Sequence, residues 1–342
     1  MSKEEGINQV MGGRHVVILG AGASIASTIH RPEKSGKRLP SMDNFIDVVG
    51  MQDIVAEVPK ELFASNFEKL FANLHNSGSP LIKKVEARVH SYFSDMTLPD
   101  QPTLYDYLIL SLRSKDLIAT FNWDPFLVYA HWRWQEFTRN LPSLAFLHGC
   151  VAIGYSEEDK LSGPAGMYAR RDGGYFEPTK LLYPIEKKNY TDDEFISGEW
   201  ERVKAWLSKE SGSVRATIFG YGAPVSDVEA VSLLSDAWGS KDERNMEQFE
   251  VIDITPENVL RKRWGRFIHT HHYDITNNYF GCSLAVNPRR TCESYFSHYQ
   301  PLTPSEAFRQ NNPVPKDFET LEELWEWHKP LIAAEERAGE QD

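Results

Sequence analysis

Short apolar runs closed by glycine or a small polar residue punctuate this chain, and stretches with apolar residues at helical spacing separate them. A run of four to eight apolar residues bounded by turn signals is the pattern of a strand buried on both faces, as in a parallel sheet. Arg14 to Leu19 fits it first and Leu117 to Phe121 second. Leu144 to Leu147, Val214 to Phe219 and Phe249 to Ile254 follow, with Arg266 to His272 as a last candidate. Between the first two strands the period changes to that of helices. Phe45, Ile46 and Val49 form one stripe behind a cap at Ser41 or Asp43; Phe63, Phe67, Leu70, Phe71 and Leu74 form the next. Leu81, Ile82, Val85, Val89 and Phe93 follow, and Thr103 to Leu112 leads back to the sheet. Helices are also predicted over Pro125 to Phe137 and Glu199 to Leu207, and Ser226 with Glu229 forms a capping box at the start of another. Strands alternating with helices predict an α/β protein: a Rossmann-like doubly wound parallel sheet with a helical insertion over about 43–113 and an irregular insertion over about 150–195.

In such a sheet the carboxyl ends of the strands share one rim, and ligands bind there. The first strand runs into Gly20-Ala21-Gly22-Ala23-Ser24. Glycine lets a phosphate approach the backbone closely, and the helix behind it offers unpaired N–H groups. The second strand delivers Thr120, Asn122 and Asp124, the third His148-Gly149, and the fourth Gly220-Tyr221-Gly222. Asp253, at the end of the fifth, is placed to hold a ribose. Each has a local alternative: an Asx turn with a helix cap at Asn122 and Asp124, a satisfied core histidine at 148, a tight turn at the glycines. Convergence on one rim favours a site, with Tyr183 and Lys187 as weaker candidates for its mouth. Tyr105 and Tyr107 read as packing, as do Trp132 and Trp134, although a tryptophan patch can also mark a partner surface. His269 and His271 would share one face of a strand, but no third ligand stands beside them, and no metal site is expected.

Composition narrows the class. The chain has 342 residues, 41% of them hydrophobic, enough for one large domain or two unequal ones. A formal charge of -12 without long basic runs argues against general nucleic-acid binding; Arg170-Arg171 and Arg261 to Arg263 read as solvated faces. Cys150, Cys282 and Cys292 form neither a disulfide framework nor a zinc ribbon, as expected in a reducing cytoplasm. The polar start and the absence of long apolar runs predict neither export nor a membrane span.

The ordered set Gly20 to Ser24, Thr120-Phe-Asn-Trp-Asp124, Leu147-His-Gly149 and Ile218-Phe-Gly-Tyr-Gly222 resembles the sirtuin family, which cleaves the nicotinamide–ribose bond of NAD. The resemblance covers about 14–275, leaving 1–13 as a mobile arm and 276–342 as an extension whose amphipathic helix, Phe318 to His328, suits docking. Phe121 stands where the family usually has glutamine, and the four-cysteine zinc module of the deacylases is missing after His148. Both departures are similar to the sirtuin-like NAD-hydrolysing effectors of bacterial antiphage defence. The resemblance therefore implies a sirtuin-like fold without zinc module and NAD as substrate without a metal. It implies an NAD+ glycohydrolase with Asn122, Asp124 and His148 at the reacting ribose. Gly20, Ala21, Gly22, Ser24, Thr120, Gly220, Tyr221, Gly222 and Asp253 would hold the rest. The loop from His30 to Pro40 would cover the cofactor. A homo-oligomer or a partner protein encoded alongside is expected. An NAD-dependent deacylase or ADP-ribosyltransferase, or a non-catalytic NAD or ADP-ribose sensor, is the alternative.

Overall fold

Six strands form the central sheet of the computed structural model, and every pairing between them is parallel: β1 (Arg14–Leu19), β2 (Leu117–Thr120), β3 (Ser143–Phe146), then β7 (Ser213–Phe219), β8 (Gln248–Ile252) and β9 (Tyr273–Thr276). Their spatial order is β3-β2-β1-β7-β8-β9. Counting only sheet strands along the chain, this is the order of a dinucleotide-binding doubly wound sheet, with its topological switch point between β1 and β7. The structure describes residues 13–28, 37–166, 174–185, 190–223, 227–244, 248–269, 271–299 and 311–339. Residues 1–12, most of the loop from His30 to Pro40, Arg170, Arg171, Lys187 and Ser226 lie outside the described residues.

β1 shows why the sheet is doubly covered. Val17 and Leu19 enter one hydrophobic cluster and Val16 and Ile18 another, so alternate residues feed the two faces. On the first face lie α1 (Ala21–Thr28), α2 (Phe45–Val49), α3 (Gln52–Ala56), α4 (Phe67–Asn76), α5 (Leu81–Ser94) and α6 (Leu104–Leu110). Their apolar stripes interlock through Phe45 and Phe67, stacked at 3.9 Å, and through Phe93. α7 (Phe126–Gln135) follows β2. The second face is covered largely by α8 (Glu194–Leu207) and α9 (Val228–Trp238), which bury Trp200 and Trp238. α10 (Glu257–Arg263), α11 (Ser283–Val286), α12 (Thr291–Tyr299) and α13 (Leu321–Gly339) complete the chain. No helix among the described residues is long and apolar enough to cross a membrane.

Several expectations are corrected. The stretch from Arg266 to His272 is not the last strand: Phe267 N–H closes a turn on Trp264, both rings pack against Phe249, and β9 starts only at Tyr273. His269 Nε2 bonds to Gly239 C=O at 2.9 Å, and among the described residues no group of three or more His, Cys, Asp or Glu could hold a metal ion. The segment read as irregular contains a second, antiparallel sheet of β4 (Ile153–Ser156), β5 (Leu161–Pro164) and β6 (Glu177–Pro178), in the order β5-β4-β6. The N-cap position of α2 is Asn44, not Ser41 or Asp43; its side chain makes no cap bond to the helix, and its Oδ1 accepts Ser41 N–H at 2.7 Å in the preceding turn. α8 begins five residues before Glu199 because Asp193 caps it through Ile196 N–H at 3.0 Å. α13 docks on this chain: Trp325 packs against Trp134 and Phe137 at 6.2 and 5.1 Å.

Candidate functional site

The floor of the site is the contact between two glycine turns at the switch point. Gly20 N–H donates to Phe219 C=O at 3.0 Å and Gly22 N–H to Gly220 C=O at 2.9 Å. Gly220 sits at φ +61°, and a Cβ there would stand 2.2 Å from Ala23 N; one on Gly20 would stand 2.4 Å from Tyr221 Cα. These glycines are therefore required by the approach of one turn to the other. The Gly22 N–H, expected to face a phosphate, is already bonded inside the protein.

Above the floor opens a cavity of about 400 Å³. Of the residues expected at a site, it is lined by Gly20, Ala21, Gly22, Ser24, Asn122, Asp124, His148, Gly220, Tyr221, Gly222 and Asp253. Thr120 is not among them. It is buried, and its Oγ1 accepts Asn122 N–H at 3.0 Å, fixing the bend at the end of β2. Tyr183 is not among them either; its ring stacks on Phe71 at 4.6 Å.

Asn122, Ser24, Asp124 and Tyr105 form one buried network. Asn122 Nδ2 donates to Gly20 C=O and Ser24 Oγ, both at 2.8 Å, and approaches Tyr105 Oη at 3.3 Å. Ser24 Oγ donates its one proton to Asp124 Oδ2 at 2.7 Å, so the Tyr105 hydroxyl, 2.5 Å from Ser24 Oγ, must donate to it. Asp124 Oδ1 accepts Phe126 N–H at 3.2 Å at the entrance to α7. The donors of Asn122 are thus held within the floor, while its carbonyl oxygen has no protein partner among the described residues and belongs to a cavity-lining side chain. Burial pushes the Asp124 carboxyl up to about 6, against the downward pull of the bonds from Ser24 and Phe126 N–H. Burial first, and then the Asp124 charge, hold the Tyr105 phenol well above its usual range.

His148 reaches the same cavity from the end of β3. Its C=O accepts Leu182 N–H at 3.0 Å, and Gly149 turns away at φ +78°, where a Cβ would meet Lys180 C=O at 2.1 Å. Phe121 meets the imidazole edge-on at 4.7 Å and stacks on Tyr221 at 4.2 Å; Tyr190 lies nearly parallel to the imidazole at 6.1 Å. Trp123, Phe45 and Phe93 supply an apolar wall elsewhere in the cavity, with edge contacts to Trp123 at 6.4 and 6.0 Å.

Tyr105 packs in the core as expected, and its hydroxyl also joins the network through Ser24 and Asn122, which nothing local in α6 marks. Glu68 and Asp227 also line the cavity and were missed. Asp227 was legible as the acid following the second glycine turn, and its Oδ2 accepts the Tyr221 hydroxyl at 3.0 Å. Asp253 Oδ1 accepts Thr255 N–H at 2.8 Å, an Asx turn that aims the carboxylate. Among the described lining residues there is neither lysine nor arginine.

No family model matches the chain, and no curated protein matches it. Solved structures do. A Sir2 homolog–NAD complex is 14% identical over 88% of this chain and 93% of its own, with a TM-score of 0.38. A Sir2 homologue mutant bound to ADP-ribose is 13% identical over 74% and 85%, with a TM-score of 0.35. A mutant with 2′-O-acetyl ADP-ribose is 11% identical over 89% and 97%, with a TM-score of 0.39. These likenesses are distant.

Proposed function

We propose that the chain is an NAD+ glycohydrolase, splitting NAD+ with water into nicotinamide, ADP-ribose and a proton. One observation supports this function: at the switch point of a sheet with dinucleotide-binding order, Asn122 and His148 line the same cavity as the two glycine turns. The pyrophosphate would lie over the glycine turns on the remaining N–H groups at the start of α1. Breaking the nicotinamide–C1′ bond leaves a cationic ribose, which water must meet before it collapses elsewhere. The Asn122 oxygen, locked by its own amide donors, accepts a hydrogen bond from that water or from a ribose hydroxyl and fixes its approach. His148 takes the proton as the C1′–O bond forms. Asp124 and Tyr105 act through Ser24 by holding the Asn122 amide in place, and their role is positioning.

In a cell such a reaction would deplete NAD+, the outcome suited to an antiphage effector assembled as an oligomer or with a partner. The decisive experiment is nicotinamide release from NAD+ by the purified chain, with Asn122→Ala and His148→Ala beside it. Release by the parent and its loss in both variants is the expected result. Formation of O-acetyl-ADP-ribose only with an acetylated peptide would replace hydrolysis by deacylation. Tight NAD+ binding with no turnover, even inside cells challenged by phage, would leave a sensor.

A further inference from the structure

We infer that a second cavity, formed between β7, β8 and β9 and the segment from α11 to α12, binds a small zwitterion of the free α-amino acid type, its carboxylate on Arg215 and its ammonium on Asp274. The cavity measures about 430 Å³, within the usual range of small-molecule sites. It shares no lining residue with the cavity over the glycine turns, so the inference stands apart from the dinucleotide reading. Phe219 and Ile252 enter the first-face cluster, and by the period of two Arg215 on β7 and Gln248 and Glu250 on β8 share that face. Polar and charged side chains thus stand where the neighbouring part of the same face is hydrocarbon.

The bonds these side chains already make define what is left for a ligand. Glu250 is satisfied: Oε1 accepts Ser283 N–H at 2.9 Å, and Oε2 accepts the hydroxyls of Ser283 and Thr217 at 2.9 and 3.0 Å. Arg215, only 4% exposed, is not. Its Nη1 donates to Thr291 C=O at 3.0 Å, but its Nη2 has Glu250 Oε1 at 3.7 Å, beyond hydrogen-bond reach, and its Nε has no partner among the described residues. Asn287 is 8% exposed and lines the cavity with no side-chain hydrogen bond among the described residues. Asp274 stands exposed on the edge strand; one carboxylate oxygen accepts Gln248 Nε2, and the other has no protein partner among the described residues. Burial, and then the Glu250 charge, raise its carboxyl above the ordinary value against the pull of Arg215 and Gln248. A phosphate-bearing ligand would meet two carboxylates against one arginine. Tyr295 is the single ring among the described lining residues, and its hydroxyl is engaged with His272 Nδ1 at 3.0 Å, so a flat base has nothing to stack between. A neutral sugar would leave both charges unanswered. A carboxylate and an ammonium on one carbon answer both, and the Asn287 amide can bond to either.

Calorimetric titration of the full chain with each of the protein amino acids in turn, and with D-ribose and inorganic phosphate beside them, tests this. At least one amino acid should bind with a Kd of about 1 mM or tighter. Its N-acetyl and carboxamide derivatives each lack one of the two charges and should bind at least roughly tenfold more weakly. Asp274→Asn keeps an oxygen for Gln248, and Asn287→Ala loses no side-chain bond to the protein, so both variants fold, and thermal melts check it. Each should weaken the amino acid at least roughly threefold. No binding by any amino acid, or binding that neither the derivatives nor the variants weaken, overturns the inference. Binding of ribose or phosphate alone, weakened by both variants, keeps the cavity as a site and overturns its assignment to a zwitterion.

Discussion

Asn122 shows how one side chain can have its donors held while its carbonyl oxygen stays without a protein partner among the described residues. Its two amide hydrogens are directed to Gly20 C=O and to the Ser24–Tyr105 pair, so its oxygen is aimed without any further contact. Asn122→Ala should reduce nicotinamide release by roughly a hundredfold, as loss of a positioned reactant typically does, while lowering stability by only about 1 kcal/mol. Tyr105→Phe removes the donor to Ser24 and should slow release while leaving NAD+ affinity nearly unchanged, a split visible in kcat against KM. Asp124 predicts a pH effect on stability. Its folded-state pKa of about 6 lies above the ordinary 3.8, so between those values the folded chain holds a proton that the unfolded chain lacks. The associated stabilisation is complete below the ordinary value and is lost as pH rises through about 6. Denaturant melts from pH about 4 to 7 should show the parent losing up to about 3 kcal/mol relative to Asp124→Asn, with the two flat against each other above that range.

At the scale of elements, the two glycines of the second turn meet opposite surroundings. Gly220→Ala places a Cβ 2.2 Å from Ala23 N at a positive φ and should cost at least about 2 kcal/mol, read as a lower denaturant midpoint. Gly222 has nothing within 4 Å of the added carbon, and Gly222→Ala should change stability by less than about 0.5 kcal/mol. Both look alike in a motif, and only the facing backbone separates them. The four inner strands, β2, β1, β7 and β8, were legible because burial on two faces requires apolar runs such as Val16 to Leu19, and the edge strand β3 was legible from its own short run. β9 was not. It is an edge strand, Tyr273-Asp-Ile-Thr276, half-polar and preceded by a more apolar stretch whose Trp264 and Phe267 turn inward without pairing. The antiparallel β4–β6 sheet was missed because two of its strands are largely exposed and short.

At the scale of the molecule, the carboxyl-terminal helix is fastened to the rest by a buried ion pair. Arg289 donates to Glu335 through Nε and Nη2 and to Leu112 C=O through Nη1, and both charged side chains are almost wholly enclosed. Arg289→Ala strands the Glu335 charge and should cost about 3–5 kcal/mol, with earlier protease cleavage near α13 as the local sign. The sequence alone determined that the chain would form a parallel α/β sheet and that its glycine, amide, carboxylate and imidazole motifs would end at one rim. Those properties depend on local apolar runs and on the common direction of parallel strands. Only the tertiary structure decided that the two glycine turns touch each other, that Tyr105 joins Asn122 and Ser24, and that Thr120 stays outside the cavity. Those outcomes depend on which backbones and side chains, distant along the chain, are brought within hydrogen-bonding distance.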